Sequence, residues 1–326
     1  MMTDWTTKIN KNFADQLMQV EDQALQYFLE LELHGQVKGT VENLWTLSEP
    51  AKLLGKQAAD GRWRFKGKGP DERPYINYDL LETYRNLRVL IDQYGFTRDH
   101  PGIEKAAEYV FTCQREQGDI YGILGQQYMP YYMGALMSLL VTAGYGDDAR
   151  IEKGFSWLLS VRQADGAWVI PMQTIPAKEK TVDYWKGSPI LADREAPFSH
   201  LATGMVLRAF ARHPEYFRHG GALAAAQQMK KRLFRADKYN DRKGREYWLK
   251  FQYPFWWPNL ATELDNMGRM GLSADDPDIE HILNWFVENQ ESDGLWPTGY
   301  GKGRKAARNR RWVGLAVFRM LKFFEV

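Results

Sequence analysis

Gln290-Glu291-Ser292-Asp293-Gly294-Leu295-Trp296 decides the fold, because the same sentence is written elsewhere in the chain. It returns as Gln57-x-x-Asp60-Gly61-x-Trp63, as Gln163-x-Asp165-Gly166-x-Trp168, and in a worn form as Gln114-x-x-x-Gly118-x-x-Tyr121. Each copy ends a helical run. The runs before three of them also align, on Ile103-Glu104-Lys105, Ile151-Glu152-Lys153 and Ile279-Glu280-His281. From Ile to Gln the spacing is 11, 12 and 11 residues, about three helical turns. A short helix is therefore being repeated, and such a period sets architecture before any single residue does.

Working outward, Gly95, Gly144 and Gly271 stand where a helix ends by turning left-handed. Asp99, Asp147 and Asp275, with Pro101 and Pro277, mark the next start. The unit reads as inner helix, glycine turn, outer helix and Gln-Asp-Gly-Trp loop. Inner helices are expected at 12–33, 77–94, 130–143, 198–212, 259–270 and 309–324. Outer helices are expected at 41–57, 103–114, 149–163, 220–234 and 278–290. Helix pairs that bury one face on their neighbours and close on themselves make an all-α ring, an α/α toroid of the α6/α6 kind. We read residues 1–326 as one such domain, with clear repeats from about residue 51.

Composition narrows the function classes. Twelve Trp and 14% aromatics suggest an aromatic-lined cavity, with core packing as the alternative. A net charge of +2 gives no global pull toward nucleic acid or a membrane surface. The one cysteine, Cys113, excludes an internal disulfide and any multi-cysteine metal site. Met1 to Asn10 has no apolar signal core, so a cytoplasmic location is expected. The uncharged stretch from Ile120 to Gly146 contains Gln126, Gln127 and Pro130; it reads as a buried inner helix and not as a membrane span.

The run Lys153-Gly154-Phe155-Ser156-Trp157-Leu158…Gln163…Gly166-Ala167-Trp168 resembles the repeat of squalene–hopene and oxidosqualene cyclases, as does Trp285-Phe286…Gln290…Gly294-Leu295-Trp296. Protein prenyltransferase β-subunits share the toroid that this resemblance implies. It covers about residues 51–326 and speaks for fold, since the repeat is scaffold. Family chemistry belongs to inner-helix starts facing one mouth. The acidic Asp-x-Asp-Asp of the cyclases is missing here, and Asp275-Asp276-x-Asp278 aligns with outer-helix caps. The Asp, Cys and His that hold zinc in the prenyltransferases are missing too, Cys113 closing an outer helix, so neither a metal nor another cofactor is expected.

Reading the inner-helix starts in order places Tyr75, Asp79, Gln127, Tyr128, Tyr131, His200, Trp256, Trp257, Arg308, Arg311 and Trp312 at the expected mouth. His200 is the first candidate for proton transfer, because its ordinary pKa near 6.5 is easily moved; a hydrogen-bonded core histidine is the alternative. Asp79 is a second candidate, although a carboxylate in a first helical turn needs no further role. Tyr128 and Tyr131 could orient a substrate or give a proton. Tyr75, Gln127, Trp256, Trp257, Arg308, Arg311 and Trp312 would bind it. Six cations from Lys302 to Arg311 open the last helix, where they oppose the macrodipole unless an anion lies close.

The leading expectation is an enzyme for a hydrophobic, isoprenoid-like small molecule with an anionic group, acting by proton transfer in the central cavity. A polysaccharide lyase or other glycan-processing toroid is the second expectation, since Tyr, His and Arg also suit proton abstraction beside a carboxylate. A non-catalytic binding or interaction scaffold is the third. Nucleic acid is not an expected partner, and oligomeric state is not legible.

Overall fold

The computed structural model describes residues 5–10, 12–180, 182–239 and 244–324. Among these, twelve α-helices of seven or more residues alternate between two layers. The outer layer holds α1 (Asn12–Met18), α3 (Ser48–Leu54), α5 (Pro101–Thr112), α7 (Ala149–Ser160), α9 (Gly220–Lys230) and α11 (Pro277–Glu288). The inner layer holds α2 (Gln23–His34), α4 (Tyr78–Tyr94), α6 (Pro130–Leu140), α8 (His200–Arg212), α10 (Leu260–Arg269) and α12 (Arg304–Lys322). Inner helices pack in chain order, and α12 returns to α2. The result is a closed α/α toroid, and no β-strand forms among the described residues.

Local chemistry explains the boundaries. Asn77 caps α4 by accepting from Leu80 N at 2.8 Å, and Ser199 caps α8 by accepting from Ala202 N at 3.3 Å. At the start of α10, Asn259 and Thr262 form a reciprocal capping box. Gly95 ends α4 with φ 65°, a left-handed conformation that costs a residue without a Cβ little. All eleven residues of α6 are buried, as its unbroken apolar run demands. No helix among the described residues is long and apolar enough to cross a membrane.

The repeated loop is the joint of the ring. Gln57 Nε2 donates to Gly61 O at 2.8 Å and to Gly102 O at 2.7 Å, tying its own turn to the start of the next outer helix. Gln114 does the same with Gly118 and Arg150, both at 2.8 Å. Trp63, Trp168 and Trp296 each donate their indole N–H to the carbonyl ten residues earlier, at 2.7 Å. These indoles are buried, so each unmade bond would cost about 1–3 kcal/mol. Gly294 has φ 81°, and a Cβ there would lie 2.3 Å from Phe13 N. Only glycine lets the loop meet the neighbouring backbone.

Three expectations about helices change. The helix expected over 12–33 is broken into α1 and α2, because Asp22 turns to cap Leu25 N. That break frees α1 to serve as the sixth outer helix, which the sequence pattern left unassigned. The outer helix expected over 41–57 is a 3₁₀ segment, Val41–Thr46, followed by α3. In the fourth unit, which lacks the repeated loop, Trp248 is the buried tryptophan, donating to Arg235 O at 2.8 Å across a longer span.

Candidate functional site

The connection from α9 to α10 does not cross the outside of the ring. Its segment Phe251–Trp257 enters the mouth, and three inner helices hold its backbone. Arg88 of α4 donates to Pro254 O, and Arg208 of α8 donates to Phe255 O at 3.0 Å. Asn309 of α12 accepts from Tyr253 N at 2.8 Å and donates to Phe251 O at 2.9 Å. Tyr253 Oη donates to Asp92 O at 2.5 Å. Buried carbonyls need such donors, and the forked guanidinium supplies them at reach. Burial holds the Tyr253 phenol well above its usual pKa, so it stays a donor.

This insertion leaves little of the aromatic-lined central cavity that composition suggested and favours the alternative of core packing. The space left on the axis is about 80 Å³, and its wall carries Asp92, Arg208, Arg212, Asp265, Arg269 and Arg319. Beside Arg208, Glu263 is fully buried, and loss of hydration pushes its carboxyl up to about 7. Trp256 is part of the wall, its ring edge-on to Tyr84 with centroids 5.0 Å apart and Arg88 4.7 Å over its face. Trp257 is exposed to 38%.

Above the inserted segment lies a solvent-open pocket of about 430 Å³. Tyr253, Trp312 and Tyr300 give it aromatic surface, Gln93, Gln252 and Asn309 give it amides, and Lys302, Lys305 and Arg308 edge it with charge. Of the residues chosen from sequence it gathers Arg308 and Trp312. Trp312 lies flat on Tyr253, centroids 5.1 Å apart and planes 3° apart, and its indole N–H donates to Asp22 Oδ2 at 3.1 Å.

Arg308 is already engaged: Nε meets Asp22 and Nη1 meets Glu49, both at 2.8 Å, while Nη2 donates to Tyr94 Oη at 3.2 Å. Arg310 pairs with Glu291 and Asp293. The anions expected beside the start of the last helix are therefore supplied by the protein itself for these two. Lys302 and Lys305 are exposed, and no carboxylate pairs with either among the described residues. Arg311 is half-buried and outside the pocket lining.

The other chosen residues lie apart from this pocket. Asp79 accepts from Phe65 N at 2.8 Å and stands 3.4 Å from Arg62, fastening the first repeat loop. His200 Nδ1 is 2.7 Å from Tyr247 Oη, and Asp237 accepts its backbone N–H at 2.8 Å. Burial lowers the His200 imidazole to about 4, with Arg232 adding to the shift. It is neutral at neutral pH and packs beside Trp248.

Gln127 clasps the long loop that connects α7 to α8, donating to Tyr184 O and accepting from Ile190 N at 3.0 Å. Tyr75 stacks on Trp185 of that loop, with centroids 6.3 Å apart. Tyr131 is buried against Tyr132, with centroids 4.4 Å apart. Tyr128 accepts from Gln117 Nε2 at 2.8 Å and borders a separate cavity of about 100 Å³ with Trp157 and Leu191. Cys113 is buried and its thiol is pushed up to about 11, which makes it inert.

Sequence reasoning passed over Tyr253, Tyr300, Gln93, Gln252 and Asn309, because nothing local says that 251–257 turns inward. Arg208 did leave a signal: it is a charge set in the apolar run Met205-Val206-Leu207-Arg208-Ala209-Phe210, and such a charge needs a partner.

Known proteins fit this architecture. Residues 82–181 match the family described as squalene-hopene cyclase C-terminal domain. The squalene–hopene cyclase of Zymomonas mobilis subsp. mobilis is 30% identical over 79 residues, which is 24% of this chain and 12% of that protein. The chain thus spans only about an eighth of that relative's length. A solved polysaccharide lyase superposes with a TM-score of 0.51 at 14% identity, over 98% of this chain and 95% of that one. A glycosyl hydrolase family 88 structure from Bacteroides vulgatus gives 0.50 at 15% identity, over 99% and 94%. At such identities the likeness is one of fold.

Proposed function

We propose that this chain, which resembles squalene-hopene cyclases over residues 82–181, binds a small molecule carrying an anionic group on a compact apolar or ring body, in the pocket over Tyr253 and Trp312. The observation that carries this reading is the combination of two lysines, Lys302 and Lys305, that have no carboxylate partner among the described residues, with an aromatic floor in a space of about 430 Å³. That volume is typical of small-molecule sites, which combine apolar surface with a few placed polar groups. Lysine supplies a point charge for an anion without demanding one geometry.

The axis of the ring is a poor home for a long isoprenoid chain while Phe251–Trp257 occupies it. The remaining space, about 80 Å³ with charged walls, supports a ligand seated at the mouth. Proton transfer by His200 or Asp79 finds no support, since neither lines this pocket. An acidic saccharide is a second reading, favoured by Gln93 and Gln252, whose amides can give hydrogen bonds to hydroxyls and accept them.

Native mass spectrometry of freshly purified protein tests the proposal and separates the two readings. A retained anionic ligand of one chemical class supports it, and the mass distinguishes a terpenoid acid or phosphate from a uronate sugar. A retained neutral lipid would sink it.

A further inference from the structure

The lysine-edged pocket does not stand alone. Arg308 also borders a second solvent-open groove, of about 660 Å³, lined by Glu21, Asp22, Gln23, Ser48, Glu49 and Tyr94. Two further links join the walls: Trp312 of the first pocket donates its indole N–H to Asp22 of the second, and Gln93 of the first precedes Tyr94 of the second. The Arg308 side chain is 38% exposed, so a ligand that spans both spaces crosses an accessible guanidinium and not a sealed wall.

The two spaces differ in chemistry. The first offers aromatic faces and lysines; in the second, the apolar Leu47 is outnumbered by hydroxyl, amide and carboxylate groups. A hydrocarbon tail gains little from such a lining, and three carboxylates against one guanidinium turn away a second anion. Asp22 and Glu49 each meet Arg308 at 2.8 Å, so the groove does not call for an added cation. Hydroxyls fit it. Both bonds that Glu49 makes, with Tyr94 Oη and Arg308 Nη1, fall on Oε2, and with the side chain 47% exposed its other oxygen is open to a donor. Gln23 and Ser48 are exposed beside it, and their side chains both give and accept hydrogen bonds. We propose that the two spaces form one cleft for an acidic oligosaccharide: an acidic sugar over Tyr253 and Trp312 with its anion at Lys302 and Lys305, and a neutral sugar beyond Arg308 whose hydroxyls bond Glu49, Ser48 and Gln23. This inference rests on the anionic-ligand reading of the first pocket and selects its saccharide form.

The test is calorimetric titration of the whole chain with glucuronate, with glucuronate linked to xylose, and with digalacturonate; the readout is the affinity of each disaccharide relative to glucuronate. The xylose conjugate should bind at least about tenfold tighter than glucuronate, the worth of one or two net hydrogen bonds. Digalacturonate, whose second carboxylate would face Glu21 and Glu49, should not share the gain. Ser48→Ala/Gln23→Ala should remove most of the gain, and Gln23→Trp, whose larger side chain occupies the second groove, should abolish it; both positions are exposed, so neither change threatens the fold. No gain from the xylose unit, an equal gain from digalacturonate, or a gain that survives Gln23→Trp overturns the cleft. Absence of saturable binding by all three sugars overturns it too, and geranyl diphosphate titrated alongside then decides the first pocket: binding that depends on Lys302 and Lys305 keeps the anionic-ligand reading, and none removes it.

Discussion

Gln290 clasps the backbone of Asn10: its Nε2 donates to the Asn10 carbonyl at 3.0 Å and its Oε1 accepts the Asn10 N–H at 2.6 Å, across 280 positions of sequence. Gln57 and Gln114 each fasten one unit to the next; here the glutamine fastens the last unit to the first. Gln290→Leu should destabilise the chain by about 1–3 kcal/mol in urea melts. Hydrogen exchange should rise first at residues 5–18, on both sides of the broken clasp. Uniform loosening throughout the ring would show that the clasp is not what closes it.

His200 makes stability depend on acid. Its imidazole takes a proton near 6.5 when unfolded but only near 4 when folded, so the unfolded chain binds more protons in between. Stability present above pH 6.5 is lost as pH falls toward 4, by up to about 3 kcal/mol for a shift of this size. Thermal melts of His200→Gln should lack that part of the acid loss. An unchanged acid limb would mean that His200 is not the group responsible.

Glu263 acts in the opposite sense. Its carboxyl is raised from 4.5 to about 7 on folding, so the stability it contributes is whole below pH 4.5 and lost as pH rises through 7. Glu263→Gln keeps the shape of the neutral acid. Its melting temperature, compared with that of the unaltered chain, should climb steadily from pH 5 to pH 8. A difference that stays flat would show that the carboxyl is ionised throughout.

Gln127 holds the long loop and not a substrate. Gln127→Ala removes the bonds to Tyr184, Ile190 and Ser188 and should cost about 1–3 kcal/mol. Mass-resolved hydrogen exchange should place the added opening between residues 183 and 191. Ligand affinity at the Lys302 pocket should be unaffected; a loss there would return Gln127 to the binding site.

The toroid was legible because its joints are local in sequence. Gln, Gly and Trp lie within seven residues of each other, and their hydrogen bonds reach back over one helix. What the sequence hid is long-range. The sixth outer helix, α1, carries no such loop of its own and is recognised only through Gln290. The mouth was misread for a similar reason: a side chain at a helix start turns inward or outward according to the loop beside it. Asp79 turns to Phe65, His200 turns to Tyr247, and Phe251–Trp257 fills the space they were expected to share. Arg308 and Trp312 were found because the cations opening α12 stand out against the helix dipole.

Equilibrium titration of intrinsic tryptophan fluorescence with geranyl diphosphate and with galacturonate, on the unaltered chain and on Lys302→Ala/Lys305→Ala, bears most directly on the pocket over Tyr253 and Trp312. One of the two ligands should bind saturably, and the double substitution should weaken it by about tenfold or more, with an affinity that falls as salt rises. Binding of equal strength in both proteins, or none to either ligand, would remove the anionic small molecule from this site.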